Sequence, residues 1–70
     1  MDKIKANIIK EIKSSLSSLR FDTEDLKFKF EILQPEDLTD KYIKSNNIDS
    51  YLHAMENEVH KINKLIKLLK

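Results

Sequence analysis

The sequence contains no glycine, no cysteine and no tryptophan, and only one proline, Pro35. Without cysteine there are no disulfides, no thiolate metal ligands and no thiol nucleophile, and nothing argues for an oxidising compartment. Without glycine, the phosphate-cradling loops and nucleophile elbows that need positive φ and close backbone approach have no residue to build them. The opening stretch "MDKIKANIIKEIK" has no uninterrupted apolar region of the kind a secretory signal carries, and no run approaches the ~18 apolar residues of a membrane span. These absences lead to the expectation of a cytoplasmic, non-enzymatic protein with no cofactor.

Seventy residues make a single small domain, 1–70. A chain of this size removes only about 60% of its unfolded surface from water, so association is the supplement expected for its core. Charged residues form 36% of the chain, yet the net charge is +1. The balance hides a segregation: residues 1–20 carry net +3, residues 21–58 net −6, and residues 59–70 four lysines and no acid. Basic ends around an acidic middle can attract one another within the fold or between copies.

Four elements are legible. In "DKIKANIIKEIKSSLSSL", Ile4, Ile8, Ile9, Ile12, Leu16 and Leu19 line one face at helical spacing, which predicts a long N-terminal helix. Serines 14, 15, 17 and 18 lower helix propensity near its end. The stretch "LKFKFEIL" alternates Leu26, Phe28, Phe30 and Ile32 with Lys27, Lys29 and Glu31, the period of a half-buried strand. "SSLRF" could pair with it across "DTED" as a hairpin; the rival reading is a helix, which leaves Phe28 or Ile32 exposed. "QPEDLTDKYIK" then predicts a short helix opened by Pro35 and closed at Asn46–Asn47. From Ile48 to Lys70, the residues Ile48, Leu52, Met55, Val59, Ile62, Ile66 and Leu69 recur in steps of four and three, an apolar seam over three heptads. The expected fold is therefore α+β and mostly helical, with an all-α small helical bundle as the alternative.

His53 and His60 share the outer face of the last helix about 10 Å apart along its axis, too far for one metal ion. A solvated face is the reading they support, and no metal site is expected.

A lone strand leaves amide and carbonyl groups unpaired, and its apolar side still needs cover. The unpaired strand, the long seam and the small size together predict a protein–protein interaction module. It would act as a small regulatory or assembly accessory protein, self-associating as a homodimer or higher oligomer, or binding a larger protein. Its candidate contact residues are Ile48, Leu52, Met55, Val59, Ile62, Ile66 and Leu69 on the last helix, with Phe28 and Phe30 on the strand. A second reading comes from element order. "KFKFEIL", then Pro35-Glu36-Asp37-Leu38, the "SNN" break and the helix from Ile48 resemble the ribbon–helix–helix DNA-binding regulators. That resemblance implies a strand ribbon between copies, with Lys27 and Lys29 directed into the major groove. Nucleic acid ranks second because Glu31 and the net −6 of the central segment oppose phosphate. Membrane-surface binding by the lysine-rich last helix ranks third, opposed by Glu56 and Glu58.

Overall fold

The computed structural model describes residues 2–70 and shows a helical hairpin. Helix α1 runs from Asp2 to Glu31, a short 3-10 turn covers Pro35–Asp37, α2 spans Asp40–Ser45, and α3 spans Ile48–Leu69. Helix α1 packs along α3, and α2 touches α3 near the connector. The molecule is a rod of 55 × 16 × 15 Å. Its radius of gyration is 16.1 Å, whereas a compact chain of this length would have about 11 Å.

Among the described residues there is no strand, so the all-α alternative holds and the α+β reading is corrected. The segment 26–33 does not form a strand or a hairpin: α1 continues through it to Glu31, and Ile32 N–H and Leu33 N–H still bond to the carbonyls of Phe28 and Phe30 at 3.3 Å. The physical reason is backbone satisfaction. A solitary strand would leave its amides and carbonyls without partners, while a helix pairs them within the segment. No glycine or proline interrupts the chain before Pro35, and ion pairs Arg20–Glu24 (3.1 Å) and Lys27–Glu31 (3.7 Å) line the outside of α1 at i,i+4. The cost is the exposure of Phe28 and Ile32, at 58% and 63%.

The serines of α1 do not fray it. Ser15 faces α3 and is only 2% exposed. Pro35 ends the helix by holding Gln34 extended (φ −83, ψ 145) and starts the 3-10 turn. Thr39 caps α2, its side-chain oxygen accepting from the Tyr42 N–H at 3.2 Å. The short helix thus begins five residues later than the sequence predicts, after the proline turn. The expected break falls at Asn46–Asn47. Asn46 donates its side-chain amide to the Tyr42 carbonyl at 3.0 Å, and Asn47 sits in the left-handed region at φ 55, ψ 38. Asparagine is among the few non-glycine residues that tolerate that conformation, which a glycine-free chain must use to turn here.

Candidate interaction face

Helix α1 turns toward α3 the residues Ile8, Ile12, Ser15, Leu19, Asp22, Leu26 and Lys29, continued by Leu33 just past its end, all buried or half-buried. They recur in steps of four and three. The matching set on α3 is Ile48, Tyr51, Met55, Glu58, Ile62, Leu65 and Leu69. The two sets form the a/d seam of an antiparallel pair. Tyr51 fixes the register near the connector: its hydroxyl donates to the Asp25 carboxylate, and the Lys29 ammonium lies 5.6 Å from the centre of its ring. At the rise of an α-helix this places Ile12 level with Leu65, and Ile8 level with Leu69.

This seam is polar for its size. Ser15, Asp22 and Lys29 occupy it from α1, and Tyr51 and Glu58 from α3. Among the described residues only Ile48 and Leu65 are apolar and buried, at 5% and 8% exposure. The Ser15 hydroxyl and one Glu58 carboxylate oxygen are buried without a hydrogen-bond partner.

The apolar residues that the seam lacks stand one position further round. On α3 the predicted set divides. Ile48, Met55, Ile62 and Leu69 face α1, while Leu52, Val59 and Ile66 are 50%, 45% and 39% exposed. On α1, Ile9, Leu16 and Phe30 hold the same relative position and are 43–49% exposed. In an antiparallel pair, this position of one helix lies beside the same position of the other, so the six side chains border one side of the rod. The opposite side carries Ser18, Phe21 and Asp25 from α1, and Asn47, Ser50 and Ala54 from α3. Hollows there, lined by Phe21, Asp22 and Glu58 and by Asp22, Ser50 and Ala54, identify it as the other flank. Tyr42 finishes the connector end of the apolar side. Its ring meets Phe30 edge-on at 6.4 Å, and its hydroxyl donates to the Lys29 carbonyl at 2.7 Å.

The pair Phe28 and Phe30, expected on one strand face, are separated by about 200° on the helix, since each residue turns about 100°. Phe30 joins the apolar side; Phe28 points away from it, beside an open cleft of about 450 Å³ that it shares with Lys29, Leu33 and Tyr42. Lys27 and Lys29 part in the same way. Lys27 is exposed and pairs with Glu31, while Lys29 is half-buried over Tyr51. The two lysines therefore share no surface, and the segment that the ribbon resemblance needs as a strand is helical.

Sequence reasoning missed Ile9 and Leu16 as contact residues. The signal was present: Ile9, Ile12, Leu16, Leu19, Thr23, Leu26, Phe30 and Leu33 form a four–three seam with one polar member, visible once 26–33 is read as helix.

Among the described residues, no three His, Cys, Asp or Glu side chains are grouped to hold a metal ion, and no helix is long and apolar enough to cross a membrane. No protein-family model, curated protein or solved structure matches the chain.

Proposed function

We propose that the protein is a non-enzymatic interaction module that docks on a helical partner surface through the side of the rod bearing Ile9, Leu16, Phe30, Leu52, Val59 and Ile66. One observation carries this reading. Helix α3 has the three-in-seven apolar pattern of a helix buried in a bundle, α1 carries Ile9, Leu16 and Phe30 beside its own seam, and the helical hairpin leaves both sets partly uncovered. The six side chains left out of the seam are each 39–50% exposed and adjoin along one side of the rod, a contiguous apolar stripe of the kind that functions as a contact surface. Total surface agrees. A folded monomer of 8.3 kDa exposes about 4,600 Å², and this one exposes 5930 Å².

The test is a pair of charge insertions in the tagged chain, expressed in its own cells. Val59→Asp sets a carboxylate on the apolar side, and Asn57→Asp sets one on the outer face of the same helix. Val59→Asp is expected to abolish association, with itself or with other proteins, while Asn57→Asp leaves it intact. The reading fails if the two variants associate alike.

A further inference from the structure

Building on that reading of the apolar side, we infer that its occupant is a second copy of this chain, laid antiparallel to the first so that two helical hairpins close into a four-helix bundle. Three observations lead there: charge, symmetry and area.

Charge is the strongest. The fold turns the segregation along the sequence into a segregation along the rod. Residues 1–20 (+3) and 59–70 (+4) lie together at the open end, giving net +7, and residues 21–58 fill the connector end with net −6. A copy turned end for end sets +7 against −6 twice. A copy laid with both connectors at the same end sets like on like over the whole 55 Å length.

The parallel arrangement has one attraction to set against this. It brings the basic rim of α1 (Arg20, Lys27) over the acidic rim of α3 (Asp49, Glu56) of the other copy. Those are exposed ion pairs, a class that contributes little. Arg20 and Lys27 are also already paired with Glu24 and Glu31 on their own helix, so they gain less by the exchange. The end-for-end arrangement therefore wins.

Symmetry is the second observation. A two-fold axis across the middle of the rod lays α1 on α1 and α3 on α3, each antiparallel. The stripe residues then match in register. Val59 meets its own copy near the axis, Leu52 comes level with Ile66, Ile9 with Phe30, and Leu16 with Thr23, whose hydroxyl is taken up in donating to the Leu19 carbonyl. An isologous contact needs this self-complementarity.

Area is the third. The chain exposes about 1,300 Å² more than a globular monomer of its mass. A standard interface removes about 800 Å² from each partner.

The experiment uses the purified full chain. Its lack of cysteine allows a single spin label at Lys41→Cys, in α2 at the connector end. Sedimentation equilibrium from 1 to 100 µM gives the mass, and dipolar spectroscopy gives the label separation. The expected result is a dimer with labels roughly 30 Å or more apart, since this register sets the two copies of Phe30 about 32 Å apart along the axis and Tyr42, next to the label, packs on Phe30. The dissociation constant should rise at least about tenfold in Val59→Asp, because a charge enters an apolar contact, and should not move in Asn57→Asp. Circular dichroism serves as the folding control for both.

A dimer with labels within about 20 Å, the reach of neighbouring helices, overturns the antiparallel arrangement. A monomer throughout overturns the second copy as occupant; the broader reading then stands only if Val59 still governs association in cells. A dimer indifferent to Val59→Asp overturns both.

Discussion

The two halves of the rod are held by different chemistry. Apart from Ser15, the seam toward the open end is aliphatic, with Ile8 and Ile12 level with Leu69 and Leu65. Toward the connector it is polar: Asp22 and Lys29 enter from α1, Tyr51 donates to Asp25, and Tyr42 donates to the Lys29 carbonyl. The open half gains stability from burial, which is non-directional and sums with area. The connector half gains position from directed hydrogen bonds, which contribute little net energy but fix register and the path of the turn. Register is thus set at the connector end, while apolar burial falls at both, with Leu65 in the open half and Ile48 beside the connector. Substitutions should separate the two.

The largest effect is expected at the aliphatic end. Leu65→Ala removes one of the two buried apolar side chains among the described residues and should cost about 2–3 kcal/mol, a large share of the stability of so small a domain, read as a fall in thermal midpoint. Ser15→Ala, also in the seam, should act in the opposite direction. It removes a buried hydroxyl with no partner and installs a better helix former, so a gain of about 1 kcal/mol is expected. Equal losses at Leu65 and Ser15 would show that the seam is held by shape alone and not by burial of apolar surface.

At the connector the effects are smaller and local. Asn47→Ala forces a β-carbon into the left-handed region and should cost about 1 kcal/mol. Its signature is faster amide exchange at the start of α3, with the open end unchanged. Tyr42→Phe deletes the hydroxyl donated to Lys29 and should cost about 1 kcal/mol. If either change loosens the open end as much as the connector, the two halves are one cooperative unit.

The contrast also explains which parts of the fold could be read from the sequence. The proline turn and the asparagine break were legible because each rests on one residue's backbone restriction. The course of α3 was legible from its apolar period. The segment 26–33 was misread because its alternation fits a strand, and local pattern does not register that a solitary strand has no partner for its backbone. That misreading set Phe30 beside Phe28 on a strand and so apart from Ile9 and Leu16, which were read as one face of the first helix and not as contacts. The seam of α3 was placed about half a position off. Its four–three pattern is real, but Tyr51, Glu58 and Leu65 take the side facing α1, leaving Leu52, Val59 and Ile66 outside. A two-helix seam and a bundle face differ by that half-position, and only the packed partner decides between them.

The smallest expected effect at neutral pH, and the sharpest test of the connector, is titration of Tyr51. Its hydrogen bond to the Asp25 carboxylate raises its pKa above the ordinary 10.0, reinforced by burial and by the negative charges of Asp25 and Asp22. The folded state thus holds the phenolic proton more tightly than the unfolded state. That stabilisation is present in full below about pH 10 and is lost as pH rises through the raised value, because there the folded chain binds more protons than the unfolded one. Denaturation followed from pH 8 to 11 should show stability falling in the upper part of the range, with Tyr51→Phe flattening the fall. Tyr51→Phe should leave the aliphatic end intact, so Leu65→Ala should cost the same in either background. Non-additivity between them would mean that the hydrogen bond sets the register of the whole seam and not only of its connector half.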